Sequence, residues 1–170
     1  MKSSYLVKIF GVISLWASAF CVTFCYAQES PRIAPFISTS GHQGAISDFN
    51  GKWTVVNFWA PWCPACMKDV PVLNALSQNS KIVVLGVAMD YGPDPGSSVL
   101  ATIRKFGMAF THQIYGGSRN NENGFYRQVG PVDFFPTTYL YNPSGKLVAF
   151  LPGQLSEGKV EATIRKLTPK

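Results

Sequence analysis

Two stretches of the chain are apolar almost without interruption, and an amphipathic segment lies between them. Trp53–Trp59 reads Trp-Thr-Val-Val-Asn-Phe-Trp, a β-branched and aromatic run of the kind found in a central strand buried on both faces. Residues 81–88 read Lys-Ile-Val-Val-Leu-Gly-Val-Ala and predict a second such strand. Between them, Pro64–Ser77 places Met67, Val70, Leu73 and Leu76 three residues apart, which gives a helix one apolar face. Pro64 suits the first helical position, where its missing N–H is tolerated. Pro71 sits inside the helix and predicts a kink, because its ring displaces a backbone bond.

Farther along, residues 91–96 form a Gly/Pro loop, and residues 97–106 suit a helix capped by Ser97 or Ser98 and stopped by Gly107. Residues 116–124 read as a polar loop and 125–129 as a helical turn. Thr137–Tyr141 and residues 147–151 flank Asn142-Pro-Ser-Gly145, which predicts a hairpin. Residues 156–167 predict a closing helix with Val160, Ile164 and Leu167 inward. Upstream, residues 32–49 suggest a short strand followed by loop. Strands alternating with helices imply parallel βαβ pairing, and the late hairpin adds an antiparallel edge. The fold class is α/β.

The first 27 residues break this pattern. Lys2 and Lys8 precede 19 uncharged residues, 9–27, which end in Cys25-Tyr26-Ala27 before the polar Gln28-Glu29-Ser30. A basic start, an apolar middle and a polar break describe a secretory signal cleaved after Ala27. An uncleaved signal anchor over residues 9–27 is the alternative, since about 20 apolar residues span a bilayer. Phe20 and Phe24, bulky residues before Cys21 and Cys25, do not fit a lipid-attachment site. Residues 28–170 then form one domain of ordinary size. The whole chain has 15 Lys and Arg against 9 acids, a formal charge of +6; without the two leader lysines it is 13 − 9 = +4. No basic run is longer than Arg104-Lys105 or Arg165-Lys166, which is not the clustered stripe of a nucleic-acid surface.

Beyond the leader only Cys63 and Cys66 remain of the four cysteines. A pair two residues apart closes almost no loop, so it adds little chain-entropy stabilisation. Reactivity is the better reason for it. The pair falls where the first buried strand gives way to the helix. A cysteine at a helix N-terminus faces unpaired amides and the positive end of the dipole, both of which favour thiolate. Pro64 has no N–H to offer, but Ala65 and Cys66 do. Cys63 is therefore expected to be the exposed nucleophile and Cys66 the shielded thiol that resolves the mixed disulfide.

The segments Trp59-Ala-Pro-Trp-Cys63-Pro-Ala-Cys66, Asp69-Val-Pro71, Phe135-Pro-Thr-Thr-Tyr-Leu140 and Asn142-Pro-Ser-Gly-Lys146 resemble the thioredoxin superfamily, and within it the TlpA/ResA/CcmG-type exported thiol–disulfide oxidoreductases. The resemblance runs from about Phe36 to Leu167. It implies a thioredoxin fold, a central mixed β-sheet flanked by helices with an N-terminal extension. It implies that Pro136 is a cis-proline lying against the cysteines, that Phe135 before it tunes redox behaviour and substrate contact, and that Trp62 and Thr137 share the substrate surface. Asn57 stands where cytosolic thioredoxins carry a buried Asp. Asp69 stands where many relatives carry Glu, one turn after Cys66 on the same helical face. A carboxylate there could take the Cys66 proton if burial raised its pKa; a surface helix acid is the plainer alternative.

The resemblance further implies reduction of disulfides in specific exported proteins, with apocytochrome c as the leading example. It implies no cofactor beyond the redox-active Cys63–Cys66 couple and a membrane electron donor of the DsbD/CcdA kind. Two other readings stay open: an oxidase or isomerase, or a non-catalytic adaptor or metal-handling module. His42 and His112 with the two cysteines match no usual zinc spacing. Trp59 suits the core and Trp62 the surface, whereas Tyr115, Phe125, Tyr126 and Phe134 suit either packing or a groove. Phosphate-loop and serine-nucleophile signatures are absent.

Overall fold

The computed structural model describes residues 33–110 and 112–168; the leader expected over residues 1–27 lies outside them. Five strands form the main sheet: β3 (Trp53–Trp59), β4 (Ile82–Met89), β5 (His112–Gly117), β6 (Thr137–Tyr141) and β7 (Leu147–Pro152), in the order β5-β4-β3-β6-β7. β3 pairs in parallel with β4, and β4 with β5. β6 runs antiparallel to both β3 and β7. The mixed sheet and the late hairpin agree with the sequence reading. β5 differs in part: its last two residues, Gly116 and Gly117, lie in the segment that reads as a polar loop. An antiparallel hairpin of β1 (Pro35–Ile37) and β2 (Gln43–Ala45) precedes the sheet, where only a strand and loop were expected. It lies against the margin of β5, where Ser38 bridges Ile114 and the Thr39 N–H donates to Gln113 O at 2.7 Å.

Strand alternation divides the interior in two. Val55, Trp59, Val84 and Ala88 face a cluster completed by Val70, Leu73 and Leu76 of α1 (Pro64–Ser77), by Ile103 of α2 (Ala101–Phe106), and by Val160 of α3 (Lys159–Leu167). Val56, Phe58, Leu85 and Val87 face Phe36, Ile46, Phe125 and Tyr126. The helices thus share one face. The hairpin and 3-10 turns at Ile46–Phe49 and Phe125–Gln128 cover the other. Two successive crossovers, β3 to β4 and β4 to β5, step the same way across the sheet. Right-handed connections therefore put α1 and α2 on the same side.

Two local readings change. The segment before α2 opens as a π turn, Gly96–Leu100. Its cap is Asp94, whose Oδ1 accepts from the Gly96 and Ser97 amides at 3.0 and 3.2 Å; the expected Ser97 and Ser98 sit inside the turn. Gly107 does end α2, with φ +60°. α3 starts at Lys159, three residues late, and Leu167 is exposed at its end rather than inward. α1 runs unbroken through Pro71, which leaves the Met67 carbonyl without its usual helical donor.

Gly86 in the middle of β4 is a contact position. A Cβ there would collide with the Phe110 ring and the Gln113 amide. Gly86→Ala is expected to lower stability by about 1–3 kcal/mol through overpacking. The urea midpoint should fall with an unchanged m value.

Candidate active site

β3 ends at Trp59 and α1 begins at Pro64, so the cysteines stand where a buried strand hands over to a helix. Cys63 is the residue that caps α1. Its backbone is extended, with φ −98° and ψ 100°, and its Sγ accepts from the Cys66 amide at 3.1 Å. This is the arrangement of a serine or aspartate cap, with sulfur as the acceptor. An amide donor and the helix dipole both favour negative charge on that atom. Pro64 takes the first helical position, where no N–H is lost, and Ala65 follows it, half-buried against the core.

The two cysteines are joined in a disulfide with Cα atoms 5.4 Å apart. In this oxidised form both are covered, Cys63 at 5 % and Cys66 at 2 % exposure. The expectation of an exposed Cys63 is therefore corrected: the disulfide packs into the same apolar cluster as Trp59, Ala60 and Phe135. What separates the two sulfurs is the cap bond, which goes to Cys63.

Asp69 lies one turn after Cys66 and is fully buried, so the surface-acid alternative does not hold. Oδ1 accepts from the Leu155 amide at 2.9 Å, and Oδ2 has no hydrogen-bond partner. Burial pushes this carboxyl up from 3.8 to about 6, against the opposing pull of the Leu155 N–H and the Lys159 charge. Asn57 is also buried and donates to Thr138 Oγ1 at 2.9 Å, tying β3 to β6.

The peptide bond between Phe135 and Pro136 is cis. Trp62 is exposed beside the disulfide, and its ring meets Phe135 edge-on at 5.6 Å between centroids. Its indole N–H donates to Asp90 O at 2.9 Å. Thr137 is buried, with its hydroxyl donating to Phe134 O at 2.8 Å, so that hydroxyl is already committed inside the protein. Trp59 is core, as expected, and so are Phe125 and Tyr126, while Phe134 is exposed. His42 bonds Ser40 and His112 packs on Phe49.

The AhpC/TSA family model matches residues 17–150. The chain belongs to the AhpC/TSA family. It is 28% identical over 134 residues to the thiol-disulfide oxidoreductase ResA of Geobacillus kaustophilus, covering 76% of this chain and 71% of that one. It is 28% identical over 139 residues to ResA of Bacillus subtilis, covering 77% and 70%. Among solved structures, the exposed lipoprotein thioredoxin of Streptococcus pneumoniae superposes with a TM-score of 0.64 at 21% identity, over 78% of this chain and 98% of that one. A secreted Mycobacterium tuberculosis disulfide oxidoreductase homologous to DsbE of E. coli superposes with a TM-score of 0.61 at 20% identity, over 78% and 95%. This AhpC/TSA-family protein is thus a thioredoxin-like thiol–disulfide oxidoreductase, similar to the ResA proteins.

The sequence reading of this family member missed two neighbours of the site, Asp90 and Arg119. Asp90 directly follows the last residue of β4, the parallel neighbour of the strand that delivers Cys63. The end of a buried strand beside a motif was the available signal. Arg119 offered none, because it depends on β5.

Proposed function

We propose that this protein reduces disulfides in extracytoplasmic proteins, with Cys63 as nucleophile, Cys66 as resolving thiol and Asp69 as proton acceptor. The observation that carries the reading is the bond from the Cys66 amide to Cys63 Sγ at the tip of α1. The Cys63 thiolate attacks one sulfur of the client disulfide and forms a mixed disulfide, and the other client sulfur leaves as thiolate. Cys66 gives its proton to Asp69 and attacks Cys63 Sγ, which breaks the mixed disulfide. The client departs as a dithiol once both its sulfurs are protonated, and the protein is left with Cys63 joined to Cys66. Two electrons have passed from protein to client. A membrane thiol donor of the DsbD/CcdA kind would return them.

Trp62, Phe135 and cis-Pro136 form the surface that receives the client chain, with Thr137 fixing the loop beneath and Asn57 the strand behind. The unpartnered Oδ2 of Asp69 supports its role, since a buried oxygen without a donor is ready to take a proton. Apocytochrome c is the client class we favour. Residues 1–27 act as an export signal or anchor, and residues 28–170 as the working domain. That assignment fits relatives described as secreted and as an exposed lipoprotein. No helix among the described residues is long and apolar enough to cross a membrane.

A redox titration of the Cys63–Cys66 couple tests direction. A potential near or below that of thioredoxin, roughly −270 mV, is expected of a reductant. A potential near −120 mV, as in a strong oxidant, would overturn the reading in favour of disulfide donation.

A further inference from the structure

Four residues beside the disulfide form a closed circuit of side-chain and backbone contacts. Trp62 donates its indole N–H to Asp90 O. The Asp90 carboxylate accepts from Arg119 twice, at Oδ1 from the backbone amide (2.8 Å) and at Oδ2 from Nε (2.6 Å). The Arg119 guanidinium lies over the Phe135 ring, 4.6 Å from its centroid. Phe135 meets Trp62 edge to face, which closes the ring. The members come from four places in the chain: the loop before α1, the end of β4, the segment after β5 and the residue before cis-Pro136.

Both ends of the Asp90–Arg119 pair are anchored from behind. The Asp90 amide donates to Gly117 O at 2.8 Å. Arg119 Nη1 donates to Asp133 O, and Arg119 O accepts from the Tyr126 hydroxyl at 2.6 Å. The pair forms one wall of a cleft of about 960 Å³ that also takes in Tyr91, Arg127 and Pro131. Asp90 adopts φ +48°, a left-handed conformation uncommon outside glycine that aspartate and asparagine tolerate best.

A partly exposed ion pair, 33% and 19% open at its two side chains, contributes little to stability. The circuit does hold Trp62, an exposed ring, against Phe135, which packs on the core as well. Fixing them before a client arrives removes an ordering cost from binding.

We propose that Asp90 and Arg119 are positioning residues that hold Trp62 and Phe135 in the arrangement that receives a polypeptide client. They govern affinity for peptide disulfides and take no part in the sulfur exchange. The proposal rests on the assignment of Cys63 and Cys66 as the reacting pair.

The test compares two oxidants reacting with the fully reduced protein. One is a disulfide-bridged peptide of about ten residues, long enough to cross the Trp62–Phe135 surface. The other is hydroxyethyl disulfide, too small to touch both rings. Asp90→Asn keeps the side-chain shape, the tolerance for positive φ and an oxygen for the Arg119 amide, but loses the charge. Arg119→Met keeps the stem and loses the planar cation. Each is expected to raise the half-saturating peptide concentration by about tenfold, with the limiting rate and the hydroxyethyl disulfide rate within about twofold of the parent.

The double variant should be no worse than either single one, because one circuit is broken in each case. Equal losses on both oxidants, additive losses in the double variant, or an unchanged half-saturation for peptide would overturn the proposal. Asp90→Asn alone decides the matter if Arg119→Met does not fold. A parent protein inert toward both disulfides would instead remove the cysteine assignment underneath.

Discussion

Cys63→Ser is expected to cut turnover of a protein disulfide by roughly a thousandfold or more, because an alcohol cannot supply the anionic sulfur that the exchange requires. The asymmetry expected of the two cysteines follows from where they sit on α1. Cys63 is the cap of α1 and takes the Cys66 amide on its sulfur, so charge on that atom is stabilised before any substrate arrives. Cys66 lies inside the first turn and has no such role. Cys66→Ser should therefore permit the first attack and stop at the mixed disulfide, which accumulates and can be isolated under non-reducing conditions and named by mass spectrometry. Alkylation of the reduced protein at neutral pH should be faster at Cys63 than at Cys66. Full turnover in Cys63→Ser, or trapping on Cys66 in place of Cys63, would refute this assignment of roles.

Asp69→Asn should slow resolution of the mixed disulfide by about a hundredfold, the scale of a lost general base, while the first attack proceeds at its parent rate. The parent's resolution rate should rise with pH through an inflection near the Asp69 value of about 6, since only the carboxylate accepts a proton. The variant should lack that inflection. Stability should move the opposite way. A carboxyl whose folded pKa lies above its unfolded one binds more protons when folded, so stability falls as pH rises from about 4 to about 6 and levels off above. The shift corresponds to about 3 kcal/mol across that window. Asn keeps an oxygen for the Leu155 amide and carries no charge, so its unfolding free energy should lack this fall. Urea titrations of both proteins at pH 4 and pH 8 provide the comparison, and a parallel pH course in parent and variant would count against a buried titrating Asp69.

The legible parts of the fold were those whose side chains settle the matter locally. Trp53–Trp59 and Pro64–Ser77 have the bounds that their apolar patterns suggest, because a strand buried on both faces and a helix with one apolar face leave different traces. β5 left none. His112–Gly117 reads His-Gln-Ile-Tyr-Gly-Gly, with neither alternation nor β-branched enrichment beyond Ile114, and becomes a strand through pairing with β4. Gly116 suits it, since a Cβ there would collide with Val87 and Met89, but that contact is tertiary. The cap at Asp94 was hidden by two nearer serines.

At the site, the cysteines, the cis-proline position and Trp62 were all readable as positions. The burial of Asp69 was not, because its partner Leu155 lies 86 residues away. Nor was the burial of Cys63, because the cover over it comes from tertiary packing, which includes Phe135.

An open sheet has two margins, and each offers unpaired amides and carbonyls on which a second molecule can continue the ladder, the first step toward fibrous self-association. Here the chain guards both in different ways. At β5, Ser38 and Thr39 occupy hydrogen-bonding positions themselves. At β7, Pro152 ends the strand with a residue that has no amide to offer. The short hairpin at the start of the domain thus takes up part of the β5 margin on which a second sheet would otherwise pair.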